Sequence, residues 1–312
     1  MPRKLRLDGL RAELNSVQAL LRQAHEAGDP VGELQYSHRQ DVLKKELEEI
    51  EKTVTTSANV VLFFGGKPVL GSRGIAAEFA GSALEKFQDL VTRTFAKAEL
   101  GPLGKRGPIP QKENTQLMVT ELARGSFGFV LDEMSEQSEL QETALKLMVD
   151  EVARIVEDTG SPNEPDFEAI LENLDPRTLI ALKEFFVILD NSEATIRIVD
   201  DERDFVLDKQ AVHRGRLRTE ATSIEEKESF TSGQILGFLP EHRKFELKPA
   251  DGEVIYGSVS KEAAEQYQAM VTTGLNVVGR HWHVKLTVRT VKPLNRPPRD
   301  VYRLVEFMKG DV

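Results

Sequence analysis

Apolar positions recur at helical spacing through the first 54 residues. Leu7, Leu10, Leu14, Val17, Leu21 and Ala24 follow at intervals of 3, 4, 3, 4 and 3. That is the a/d seam of a helix. Gly28-Asp29-Pro30 ends it with a glycine suited to the C-cap and a proline that cannot continue the helix. Tyr36, Gln40, Leu43, Leu47, Ile50 and Val54 then mark a second seam on a helix from about Gly32 to Thr53, with Gln40 its one polar position. Two amphipathic helices joined by a tight turn predict an antiparallel helical hairpin, a coiled-coil arm over residues 1–56. The two seams pack on each other and on the domain behind, or the arm pairs with another copy. An isolated pair of helices buries little core, which favours the oligomer.

The period then changes. Val60-Val61-Leu62-Phe63-Phe64 is a continuous apolar run of strand type bounded by Gly65-Gly66. Pro68-Val69-Leu70 is a short second run, and Gly71-Ser72-Arg73-Gly74 leads into a helix with Phe79, Ala83, Phe87, Leu90 and Val91 on one face. The two runs predict a first strand pair. A Gly/Pro-rich loop follows over residues 100–111, then a hairpin over Thr115 to Met134 turning at Ala123-Arg124-Gly125-Ser126. Helices are expected from Ser138 to Asp158, from Pro165 to Leu174, and from the Asp175-Pro176 cap onward. Ala194 to Val199 and Asp204 to Leu207 form a further hairpin. Paired strands separated by helices make residues 57–210 an α+β domain rather than a doubly wound sheet.

Residues 208–228 are polar and charged and read as a linker or a connecting helix. Residues 229–312 hold five strand patterns and one short helix capped by Ser260. That count resembles a small SH3- or OB-like β-barrel, a likeness of shape that does not give function.

Charge separates the two ends of the chain. Asp and Glu exceed Lys and Arg by 51 to 41 overall, yet from residue 211 onward the basic residues lead by 16 to 13. The acidic total argues against a protein coated in nucleic acid and leaves only the C-terminal part as a basic surface. No cysteine is present, which excludes disulfides, thiolate nucleophiles and Cys-ligated metals. No apolar run approaches the roughly 20 residues that span a bilayer, and the basic N-terminus has no apolar h-region. A cytoplasmic protein without a membrane partner is expected.

Two places carry candidate chemistry. In the strand pattern from Arg280 to Arg289, Trp282, Val284, Leu286 and Val288 point inward, while His281, His283, Lys285 and Arg289 share the outer face. Lys292 and Arg296 extend the basic surface, with Arg299 and Arg303 nearby. A basic strand face on a small barrel suits single-stranded nucleic acid or a protein partner. Stacking aromatics are missing from it, Tyr256 being the only substitute. The bland alternative is a solvated face with paired charges. His281 and His283 lack a third ligand beyond the candidates His242 and Glu306, so no metal or other cofactor is expected. The second place is Lys67, Ser72 and Arg73 among the glycines before the first long helix of the domain, where backbone N–H groups can cradle phosphate. The spacing matches neither phosphate-loop fingerprint, so a turn is the simpler reading. Asp200, Asp201, Glu202 and Asp204 cluster at a hairpin tip, where turns attract such residues. No GxSxG occurs, and the six histidines sit in no triad-like context.

The expected protein is therefore a non-enzymatic scaffold that oligomerises through its N-terminal helices and binds nucleic acid or a protein through the basic barrel face. The alternative is a phosphate-handling enzyme with a site near Gly65–Gly74.

Overall fold

The computed structural model describes residues 1–101, 107–110, 112–123, 127–134, 141–250, 252–292 and 297–308. Half of the loop expected at 100–111 and the turn residues 124–126 fall outside them. The chain divides into two compact units. One comprises Met1–Glu99, Arg106–Phe167 and Ala181–Arg216. The other comprises Leu100–Lys105, Glu168–Ile180 and Leu217–Val312.

The first unit opens with α1 (Arg3–Ala27) and α2 (Pro30–Lys52). Gly28 closes α1 at φ 64°, a left-handed conformation that glycine adopts without strain. Asp29 caps α2 by accepting the N–H groups of Val31 and Gly32, and Pro30 occupies the first turn. The seams meet within the chain: Val17, Ala24, Leu43 and Leu47 are buried, and Leu14, Leu21, Tyr36 and Gln40 are half-buried. Arg39 bonds Glu13 at 2.6 Å and Arg11 bonds Glu51 at 3.0 Å across the pair. Val54 does not belong to the seam. Helix α2 ends at Lys52, Thr53 is extended, and Val54 is 73% exposed.

The rest of this unit is a five-stranded antiparallel sheet with helices. The strands are β1 (Asn59–Gly66), β4 (Leu117–Ala123), β5 (Phe127–Glu133), β6 (Ala194–Val199) and β7 (Asp204–Leu207), in the order β4-β5-β1-β6-β7. Strand β1 is its centre, pairing with β5 and β6. The first strand pair expected from the sequence is thus corrected. The short runs β2 (Val69–Leu70) and β3 (Gly74–Ile75) pair only with each other. The reason lies in β1 itself: Val60 through Phe64 are buried on both faces, as a central strand requires.

Helix α3 (Ala77–Leu100) sets Phe79 edge-on to Phe64, with centroids 5.3 Å apart. Phe87 meets Phe185 at 6.2 Å; Phe185 lies on α6 (Pro176–Asn191). Helix α4 (Ala144–Gly160) begins later than the apolar pattern suggests, because Thr143 caps it by accepting from the Lys146 N–H. On the other sheet face Val61, Phe63, Val130 and Val199 cluster with Leu5 and Ala123. Leu5 and the Arg3 N–H, which donates to Asp201 Oδ1 at 2.8 Å, root the hairpin on the sheet.

In the second unit, α5 (Glu164–Leu171) contributes its last residues, and the end of α7 (Lys209–Ala221), from Leu217 on, leads into the strands. These are β8 (Ser223–Leu239), β9 (Lys244–Pro249), β10 (Ile255–Val259), β11 (His281–Lys292) and β12 (Arg299–Met308), with α8 (Lys261–Thr272) between β10 and β11. They pair in a closed ring, β10-β12-β11-β8-β9. Inside it lie Ile235, Phe238, Phe245, Leu247, Leu286 and Phe307 among others, and half-buried Trp282 donates its Nε1–H to Val277 O at 3.1 Å. Of the linker or connecting helix expected over 208–228, the helix is present as α7, and the residues from Ser223 on open β8. Charges at Glu225, Glu226 and Glu228 mask a strand whose inner anchor is the buried Ile224.

Candidate partner-binding face

The outer face of β8, β11 and β12 is built in rows fixed by the ladder. His283 faces Ser232 on one side and Met308 on the other. Lys285 faces Phe230 and Glu306, and Thr287 faces Glu228 and Arg303. Arg289 faces Glu226 and Val301. Side chains directly opposite one another stand about 5 Å apart at Cβ, so each row is one contact set.

These rows sort the basic residues that the sequence places on the face. Arg280 is exposed just before β11, and His281 is exposed at its start. His283 is exposed and bonds to the Ser232 hydroxyl. Lys285 is half-buried, and its ammonium meets Glu228 at 2.7 Å. Lys292 is likewise paired with Glu225. Arg289 corrects the expectation of a uniformly open basic face. It is only 7% exposed, and its Nη1 donates to the Glu172 carbonyl at 2.9 Å. Arg299 likewise donates to the Glu168 carbonyl at 2.8 Å. Residues 168–180 of the same unit thus shelter that end of the face. Arg296 lies outside the described residues.

The sequence reading missed one residue. Phe230 is 62% exposed on this face, directly opposite Lys285. The face therefore does carry an aromatic. Tyr256 is exposed on β10, with β12 between it and β11, so it does not substitute there. The signal was period two: Glu226, Glu228, Phe230 and Ser232 alternate on one side of β8, visible once the strand is extended back to Ser223.

The glycine segment is a turn in the structure. Gly66 and Gly71 have φ of 85° and 55°. Ser72 and Arg73 are exposed, and the Arg73 N–H closes a turn on Leu70 O at 3.0 Å. The Lys67 ammonium meets Glu193 at 2.8 Å. Lys67 and Lys209 together hold that carboxylate below its usual range.

The acidic hairpin tip is also committed internally. Asp200 Oδ1 accepts the Glu202 N–H at 2.8 Å and also the Arg203 N–H, and Asp204 forms a two-pronged pair with Arg197 at 2.6 and 2.7 Å. Asp201 takes the Arg3 N–H and lies 3.8 Å from Lys146. Lys146 is itself buried, 2.9 Å from Asp150 and 3.5 Å from Glu142. Burial opposes the Lys146 charge, but its three carboxylates outweigh that and raise its pKa. Burial raises the Asp150 pKa, helped by the nearby Asp200 carboxylate, against the pull of Lys146 and Arg203. Among the described residues no three His, Asp or Glu side chains are placed to hold a metal ion. No helix among them is long and apolar enough to cross a membrane.

Comparison with protein-family models, with curated proteins and with solved structures finds no match to the chain.

Proposed function

We propose that the protein is a non-enzymatic binding module. The outer face of its C-terminal strands, an SH3- or OB-like surface in this reading, seats a partner. The N-terminal hairpin assembles copies through the apolar side chains left outside the seam: Leu20, Val31 and Leu34, all exposed. The observation that carries the reading is Phe230. A solvent-facing aromatic in a row with Lys285, beside His283 and Met308, is the composition of a contact centre: an aromatic anchor within a polar surround.

The same face suits single-stranded nucleic acid, through stacking on Phe230 and the basic residues around it, or a protein. The glutamates of β8 separate the two. With Lys285 and Lys292 already neutralised by Glu228 and Glu225, few cations remain to release counterions, so the electrostatic part of nucleic-acid binding is small. A protein partner is therefore the favoured occupant.

The deciding experiment titrates full-length protein into a labelled single-stranded oligonucleotide at low salt. Binding that falls with salt and is lost in Phe230→Ala assigns the face to nucleic acid. Absence of binding removes nucleic acid from the reading. Oligonucleotide binding unchanged by Phe230→Ala contradicts the choice of this face.

A further inference from the structure

A groove of about 850 Å³ runs along the outer face of the second unit. This is within the size range of small-ligand sites. Arg303, Thr287 and Glu228 cross it as one row of the β12–β11–β8 ladder. Ile224 and Ile180 supply apolar wall, and Ser260 at the start of α8 lines it as well.

Arg303 is the unusual member. Its Nε is buried and has no hydrogen-bond partner. No carboxylate among the described residues forms an ion pair with its guanidinium, although four glutamates line the groove. Three of those four are engaged. Glu228 is tied to Lys285 at 2.7 Å and Glu225 to Lys292. Glu262 is held below the usual carboxylate range by its own backbone N–H and the Ser260 hydroxyl. Only Glu226 is left, close enough to be felt but not bonded.

A second cation stands close by. Arg289 is buried, and its Nε is also without a partner. Burial and this neighbour push Arg303 below the ordinary arginine pKa, against the pull of Glu262 and Glu226. A half-buried guanidinium with an unmet Nε–H is costly, and an anion beside it in the groove lessens that cost.

We propose that this groove is a binding site for an oxyanion, held by the Arg303 guanidinium with the Thr287 hydroxyl beside it. A planar fork of N–H donors suits two oxygens of a carboxylate or a phosphate. Glu226 limits the charge: it repels a dianion more than a monoanion, so the fitting groups are a carboxylate or a phosphodiester, not a phosphate monoester. The apolar wall suits a ligand with an organic body. The site does not depend on what occupies the Phe230 end of the face.

The test is an NMR titration of full-length protein with ¹⁵N-labelled arginine, at constant ionic strength set by chloride. The Arg303 Nε–H signal is assigned by its loss in Arg303→Lys. The probes are benzoate, dimethyl phosphate and inorganic phosphate. The expected result is a saturable shift of the Arg303 Nε–H with benzoate, dimethyl phosphate or both, and binding at least tenfold weaker in Thr287→Val. Which of the two binds identifies the source of the anion. Thermal stabilisation by the same probe is expected to vanish in Arg303→Gln. No saturable shift with any probe, or the same affinity in Thr287→Val and the same stabilisation in Arg303→Gln, overturns the proposal. Tighter binding of inorganic phosphate than of the monoanions overturns the charge argument.

Discussion

Phe230 lies directly opposite Lys285 in the β8–β11 ladder, with its ring in solvent, while the Lys285 ammonium turns to Glu228 at 2.7 Å. The cation that would make this face attractive to nucleic acid is thus already answered within the sheet. The aromatic ring is not.

Phe230→Ala is expected to leave stability within about 0.5 kcal/mol of wild type, because an exposed side chain away from caps and core contributes little. Urea unfolding checks this. A loss of 2 kcal/mol or more, in the range of core truncations, would mean that Phe230 is structural, and the binding reading would lose its main support.

Gly215 on α7 is a packing requirement. A Cβ there would fall within the contact distance of the Phe186 ring. Gly215→Ala is expected to destabilise by roughly 1–3 kcal/mol through overpacking. Adding Phe186→Leu, which withdraws the ring, should cost less than the two single changes summed. Strict additivity would show that the helix shifts freely instead.

The arm's outer surface is expected to govern assembly. Light scattering should give a smaller mass for the double variant Val31→Glu, Leu34→Glu than for wild type, since both side chains are exposed and outside the α1–α2 seam. A wild-type mass equal to that of one chain would remove the oligomer from the account.

The Lys146 cluster sets a pH dependence. The Asp150 pKa is raised in the folded state, so folding favours its protonated form. Wild type should therefore gain stability relative to Asp150→Asn as pH falls from neutral toward the ordinary carboxylate value of about 4. Asp204, lowered by its hydrogen bonds to Arg197, acts in the opposite sense: its contribution is present above the ordinary carboxylate value and is lost as pH falls through its depressed folded pKa. Urea midpoints of the single variants across that range separate the two. A constant gap between wild type and Asp150→Asn would contradict the first.

What was legible in the sequence was local. The two seams at Leu7–Ala24 and Tyr36–Ile50 need only helical periodicity, and the cap at Asp29-Pro30 needs only its own residues. The centrality of β1 was not legible, because its partners are Phe127–Asp132 and Ala194–Val199 rather than the adjacent run at Val69. Arg289 followed the alternation of its strand, but its burial depends on Glu172, 117 positions away. Phe230 was hidden by the neighbouring glutamates, which made the first residues of β8 look like linker.

A photo-cross-linking residue placed at position 230 of the full-length protein, in the cells that produce it, tests the binding face most directly. Position 206 on β7, where Val206 is equally exposed at 62%, serves as the control. A discrete adduct at 230, absent at 206 and lost with His283→Ala and Lys285→Ala, is the expected result. No adduct at 230, or the same adducts at both positions, would contradict the claim that this face binds a partner.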